Sequence, residues 1–367
     1  MRTATITFHA PNNNGSFFQA YALQKVLTEK LGVENEILDF RSEKQVRQYS
    51  VFRPVRSVRD LAKNGVSLLH YEAIKTHNQR FEAMRERCLN MTPRCASAEE
   101  AVRIADRYDA VIAGSDQIWN TGAPDFSPAY LLPGVRARKI AYAISFGSFS
   151  REAELLPYKK ELEAFYRIAV REESARRHLR GLIGREAELT LDPTLLLDGE
   201  DYRAMTDGAP LIPGGYIFFY SISYPEEVMR TAKRIAERMG LPIVTVFTSF
   251  HTVTCEKHGM KVRYDAGPEE FLNLVMNARL VLTNSFHGTA FSLLLHKPFY
   301  HLGKTVDGQL QRDDRIAQIL EAMELRGCSA GLFTPVTGLP RVDWDAVDEK
   351  RRALGERSLA YLREALR

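Results

Sequence analysis

Long apolar runs are missing from this chain of 367 residues, and without eighteen or more apolar residues in a row no helix of it spans a bilayer. The opening "MRTATITFHA" goes straight into an alternating strand pattern, without the charged start and apolar middle of a signal peptide, so the expected location is the cytoplasm. Cysteine is scarce. Cys88, Cys95, Cys255 and Cys328 contain no C-x-x-C, which excludes a disulfide framework and a strong zinc pattern. The nearest metal-like group, "HTVTCEKH" with His251, Cys255 and His258, lacks a fourth ligand and reads as a polar surface loop, so no metal is expected. No G-x-G-x-x-G follows a strand and no G-x-x-x-x-G-K-[ST] occurs; "HLGKT" at 301–305 lacks the spaced first glycine. Dinucleotide binding and P-loop phosphate chemistry are disfavoured. Aromatic residues are not interleaved with basic ones, so nucleic acid is not an expected partner.

What is present is ordinary globular material, 45% apolar and 26% charged, enough for two domains. The net charge of +4 is uneven: residues 41–90 hold eleven Lys or Arg and five Asp or Glu, 11 − 5 = +6. Its most basic part, "VFRPVRSVRDLAK", reads as a solvated helical face or as a surface for an anionic acceptor or membrane leaflet. Strand and helix patterns alternate. Residues 3–8, 33–40, 108–114, 139–147 and 188–197 read as strands, with helices over 16–32 and through 50–90. After the Pro- and Gly-rich "MTDGAPLIPGG", the expected hinge, strand and helix patterns start again and end in an amphipathic tail. The expected architecture is α/β, two Rossmann-like domains facing across a cleft. The N-terminal domain takes 1–208 with the basic helical segment 41–90, the C-terminal domain takes 209–335, and helices take 336–367.

Four strand-end loops carry candidate chemistry. In "HAPNNNGSFFQAYAL" three asparagines and Gly15 follow a strand and Ser16 suits a helix N-cap, so the turn fits an anion, a sugar hydroxyl cluster, or a plain turn. In "VIAGSDQIWN", Ser115, Asp116, Gln117, Trp119 and Asn120 crowd the end of a strand. Asp116 can act as a general base and Trp119 as a sugar platform; the plain alternatives are a helix cap and a core tryptophan. Arg171 follows an apolar run in "AVREESARRHL" and can hold a carboxylate or phosphate bidentately, or pair internally with Glu172 or Glu173. In "TNSFHGTAFSLLLHKPF", Ser285 can cap a helix, Gly288 admits close approach of a ligand, and His287 sits in the first turn. A positive helix end favours neutral imidazole, a proton acceptor, whereas a neighbouring anion favours imidazolium, a proton donor. Its alternative is a structural histidine bonded to a carbonyl.

These stretches, with "AYAISFGS", "LDPTLLL" and "RDDRIAQILEAM", run in the order of the polysaccharide pyruvyl transferase family, which the chain resembles over nearly its whole length. "GSDQIWN" with "SFHGTAFS" is the specific combination. The resemblance implies paired Rossmann-like domains of the GT-B-like glycosyltransferase kind. It implies transfer of a pyruvyl group from phosphoenolpyruvate onto two hydroxyls of a glycan or lipid-linked saccharide, leaving a ketal and releasing phosphate. It puts His287 at the phosphoenolpyruvate as acid/base and Arg171 as an anion clamp, with Ser285, Gly288 and Lys304 beside them. Asn13, Gly15, Asp116 and Gln117 fall on the acceptor side or the cleft floor, and Ser115 and Trp119 are further substrate-binding candidates. The family's first motif has an aromatic residue before its glycine, where this chain has Asn14. No cofactor is implied beyond phosphoenolpyruvate as donor. The expected setting is cytoplasmic, peripheral to the inner membrane face. Competing expectations are a nucleotide-sugar-dependent glycosyltransferase of the same fold and a non-catalytic glycan- or anion-binding protein.

Overall fold

A computed structural model describes residues 1–52, 54–147, 152–306, 309–311 and 313–367. Arg53 of the basic stretch, Ser148 of "AYAISFGS" and Arg312 of "RDDRIAQILEAM" lie outside the described residues. The chain divides into two units: Met1–Ser50, Met84–Leu197 and Arg351–Arg367 make the first, Val51–Ala83 and Asp198–Lys350 the second. The break falls at Leu197/Asp198 rather than at 208/209. The C-terminal residues rejoin the first unit because Arg351 Nη1 donates to Leu195 O and Leu197 O (3.1 and 2.9 Å) and Tyr361 OH donates to Ala141 O (2.8 Å). Most of the basic segment belongs to the second unit, not the first, because Ile74 packs with Phe247 and Tyr264 and His77 Nδ1–H donates to Ala266 O (2.6 Å).

In the first unit, β1 (Arg2–Ile6), β2 (Glu34–Ile37), β3 (Ala110–Asp116), β4 (Arg138–Ile144), β5 (Arg167–Val170) and β6 (Glu188–Leu189) form one parallel sheet, ordered β2-β1-β3-β4-β5-β6. Every residue of β3 is buried, as in a sheet covered on both faces, where side chains need not alternate. The expected strand over 188–197 is mostly something else: Glu188 and Leu189 pair, and Pro193–Leu196 form a 3-10 turn. Pro193 has no N–H for a sheet. Asp192 Oδ1 instead accepts the Thr194 N–H (3.0 Å) and hydroxyl (2.7 Å).

In the second unit, β7 (Ile217–Tyr220), β8 (Ile243–Val246), β9 (Lys261–Arg263), β10 (Leu280–Thr283), β11 (Phe299–Leu302) and β14 (Ser329–Ala330) form another parallel sheet, ordered β14-β11-β10-β7-β8-β9; β12 (Lys304–Val306) and β13 (Gln309–Gln311) make a hairpin. The helix Glu226–Met239 buries Val228, Met229, Ala232 and Ile235 as one stripe and stops at Gly240, whose φ of 62° suits glycine. "HTVTCEKH" is not a loop: Val253–Lys257 is helical, Cys255 is fully buried, and burial pushes its thiol up to about 12. Among the described residues no three His, Cys, Asp or Glu side chains gather as metal ligands would. The tail is a single helix, Trp344–Ala365. No helix among the described residues is long and apolar enough to cross a membrane. In each sheet the parallel strands end on one edge, and the candidate loops leave from that edge.

Candidate active site

The first unit gathers its candidate residues around a buried guanidinium. Arg171, just past β5, is 2% exposed at its side chain; Nη1 pairs with Asp192 Oδ2, and Nη2 donates to Asp116 Oδ1 at 3.4 Å. Arg171 is therefore committed to internal carboxylates, neither of them the Glu172 or Glu173 expected from sequence, and does not present an anion clamp to solvent. Glu172 Oε1 accepts instead from Ser145 Oγ (2.8 Å) and the Phe146 N–H (2.9 Å). Asp116 holds a left-handed φ of 67°, and its Oδ2 accepts the Ser16 hydroxyl at 3.0 Å. Ser115 is fully buried, its Oγ 3.0 Å from Ala143 O and 3.3 Å from Asp192 Oδ2, so it braces the ion pair rather than facing a substrate.

The turn after β1 docks onto this group. The helix Asn14–Lys25 is capped by Asn13, whose Oδ1 accepts the Ser16 N–H at 3.2 Å; Ser16, expected as the cap, points its hydroxyl at Asp116. Gln19 is fully buried and knits two loops, donating to Phe8 O (2.8 Å) and Ser16 O (2.9 Å) while accepting the Ser115 N–H (3.2 Å). Gly15 is buried in the first turn. Asn14 is 5% exposed, and its Oδ1 has no hydrogen-bond partner. Gln117 is half-buried and accepts from Asn120 Nδ2 at 2.8 Å. A Cβ on Gly147 would lie 2.3 Å from Gln117 Oε1. Trp119 is a core residue, 0% exposed, donating Nε1–H to Tyr130 O (3.2 Å) and packing edge-on to Phe165; no ring face remains for a sugar.

A buried pair escaped the reading of the sequence. His9 Nε2 lies 2.8 Å from Asp39 Oδ1, and Nδ1 faces Thr7 O at 3.2 Å. Burial alone would raise the Asp39 carboxyl, but hydrogen bonds from His9 and Arg41 hold it down at about 2. The signal was a polar residue just beyond each of two adjacent strands, in "TFHA" and "LDF".

In the second unit Ser285, His287 and Gly288 share the turn between β10 and the helix Phe286–Leu294. His287 is 7% exposed, in the first turn. Ser285 stands at the N-cap position without a side-chain capping bond; its N–H donates to Thr283 Oγ1 at 3.0 Å. Gly288 is required by packing: a Cβ there would sit 2.1 Å from Thr283 Oγ1 and 3.1 Å from the Tyr220 ring. Lys304 is exposed at the start of β12, just after β11, which neighbours β10. A cavity of about 780 Å³ in this unit is lined by Glu227, Arg230, Leu310 and the run Leu332–Pro335 and includes none of these residues.

Two parallel six-stranded sheets with covering helices define an α/β protein. A candidate UDP-N-acetylglucosamine 2-epimerase from Listeria monocytogenes is similar across 98% of this chain and 89% of its own, at 8% identity and a TM-score of 0.52. The Methanocaldococcus jannaschii UDP-GlcNAc 2-epimerase in complex with UDP-GlcNAc and UDP covers 96% and 99% at 13% identity with a TM-score of 0.49. The Escherichia coli heptosyltransferase WaaC covers 85% and 91% at 14% identity with a TM-score of 0.39. No curated protein matches the chain in sequence. The fold class is thus α/β, with two units each built on a parallel six-stranded sheet, and the Listeria epimerase shares that fold. Residues 13–303 match the polysaccharide pyruvyl transferase family, and the chain belongs to that family, a family of transferases.

Proposed function

We propose that the protein moves a pyruvyl group from phosphoenolpyruvate onto two hydroxyls of a glycan or lipid-linked saccharide, closing a cyclic ketal and releasing phosphate. The observation that carries this beyond family membership is electrostatic. The first unit's cluster sets one guanidinium, Arg171, against two carboxyl groups, Asp116 and Asp192. Phosphoenolpyruvate is a trianion near neutral pH, and such a cluster repels it while suiting neutral sugar hydroxyls. The second unit offers a helix start without a side-chain cap, bearing His287, with Lys304 beyond the neighbouring strand. Uncapped N–H groups at a positive helix end favour an anion.

The donor is therefore assigned to Ser285, His287, Gly288 and Lys304. The acceptor is assigned to Asp116 with Asn13, Asn14, Gly15 and Gln117; the buried Asn14 carbonyl suits a hydroxyl donor. Arg171 serves as a positioning residue for Asp116. His287 gives its proton to the methylene carbon of phosphoenolpyruvate, making the methyl group and an oxocarbenium-like centre. One sugar hydroxyl adds there and gives its proton to solvent, from which the His287 imidazole is recharged. Phosphate then leaves, and the second hydroxyl closes the ketal. One hydroxyl proton ends on the new methyl group and the other on phosphate, so the atoms balance. No cofactor enters this route, because the donor carries its own leaving group. The reaction is placed in the cytoplasm, at the inner face of an anionic membrane.

Phosphate release that requires both phosphoenolpyruvate and a glycan with two free neighbouring hydroxyls is the expected result. Turnover on a nucleotide sugar, with none on phosphoenolpyruvate, would sink the reading.

A further inference from the structure

We propose that the helix Val58–Leu69, with Phe52, Val55 and Tyr71 at its flanks, docks on an anionic lipid bilayer and lies in the plane of the interface. This helix is turned inside out. Val58, Leu61, Leu68 and Leu69 recur at helical spacing and are 85, 62, 71 and 81% exposed. Ala62 and Gly65 lie on the same exposed stripe. The polar side faces the protein: Asp60, Lys63 and Asn64 are half-buried, and Ser67 is fully buried, donating Oγ–H to Val51 O at 2.6 Å. A surface helix in water buries the opposite face.

The flanks suit an interface. Phe52 and Tyr71 stack at 5.8 Å and stay 46 and 37% exposed, and Val55 is 60% exposed. Seven of the sixteen exposed large apolar residues among the described ones fall between Phe52 and Tyr71, so the exposure is concentrated and not scattered. Residues 51–75 hold five Lys or Arg and two Asp or Glu, 5 − 2 = +3. Arg56 and Lys75 are exposed. That charge selects the occupant. A second copy on this face would set +3 against +3 in a two-fold contact, whereas an anionic leaflet attracts it, and apolar insertion with basic flanks is how in-plane helices bind. At twelve residues the helix cannot span. The docking element is fixed to its unit, since His70 stacks on Tyr264 at 3.7 Å and Arg80 Nη1 pairs with Asp265 Oδ2 at 2.9 Å.

This deepens the proposed work on lipid-linked saccharide, on which it rests for its purpose, but its test reads vesicle binding apart from turnover. The full chain is floated with vesicles of phosphatidylcholine alone or with about a third phosphatidylglycerol. Wild type should float with the anionic vesicles, less at high salt, and little with the neutral ones. Leu61→Ser/Leu68→Ser/Leu69→Ser should lose at least tenfold in binding with Tm unchanged, because those side chains are exposed. Wild type staying unbound, the triple variant binding as wild type does, or a wild-type dimer that the triple variant dissolves would each overturn the proposal. Phosphate release from a soluble acceptor by a wild-type chain that fails to float with either vesicle would leave the proposed reaction standing and remove only the docking.

Discussion

The Ser16 hydroxyl donates to Asp116 Oδ2 at 3.0 Å across a hundred residues of sequence, fastening the start of a helix to the end of β3. Asp116 thus has one carboxylate oxygen on a hydroxyl and the other on the Arg171 guanidinium, and Arg171 spans Asp116 and Asp192. This chain of contacts separates residues that build the cluster from those that can meet a substrate.

Arg171→Ala is expected to destabilise the first unit by about 3–5 kcal/mol, because it leaves buried carboxylates without their counter-charge. Arg171→Lys should recover only part of that, since an ammonium cannot fork between two carboxylates. Thermal melts check the stability and calorimetric titration checks phosphoenolpyruvate affinity. Melting should drop while the Kd of the folded fraction stays near wild type. The reverse ranking would make the guanidinium a ligand clamp after all.

His287→Asn should lower phosphate release by roughly two to four orders of magnitude, the usual contribution of a positioned acid or base. Its Tm should stay close to wild type, because asparagine is smaller and polar. Normal turnover in this variant removes the imidazole from the mechanism.

Much of the architecture was legible because long elements keep their period. The stripe of Glu226–Met239, the buried run of β3 and the two parallel series follow from spacing alone. What escaped was short or decided by distant contacts. Strands β9 and β14, of three and two residues, are too brief to show a period. The local pattern of 51–83 says helix but not which unit it packs on, and Ile74, His77 and Arg80 settle that through Phe247, Tyr264, Ala266 and Asp265. The positions of Asp116 at the end of β3 and of His287 in the first helical turn after β10 were legible from the apolar runs that precede them. The burial of Trp119 and Ser115 and the pairing of Arg171 with Asp192 depend on tertiary neighbours that no local spacing reveals.

Gly288→Ala should cost about 1–3 kcal/mol, since the added methyl would lie 2.1 Å from Thr283 Oγ1 and the helix start must move off β10. Activity should fall further than stability, because the shift carries His287 with it. Denaturant melts beside phosphate-release assays measure both; a variant as stable and as active as wild type would contradict the packing argument.

Acid stability should report on the buried pair in the first unit. Asp39 sits at about 2 in the folded protein against an ordinary 3.8, so folding favours its ionised form. That contribution is fully present above about pH 4 and is lost as pH falls from 4 through 2. A shift of this size, discounted for the partial solvent access of the carboxyl, corresponds to about 1–2 kcal/mol. Asp39→Asn cannot ionise, so its stability should be lower at neutral pH and should change less between pH 4 and 2. Urea melts across that range distinguish the two curves. Parallel slopes for wild type and variant would show that His9 and Arg41 do not hold the carboxylate, and some other acid group would then have to account for the loss.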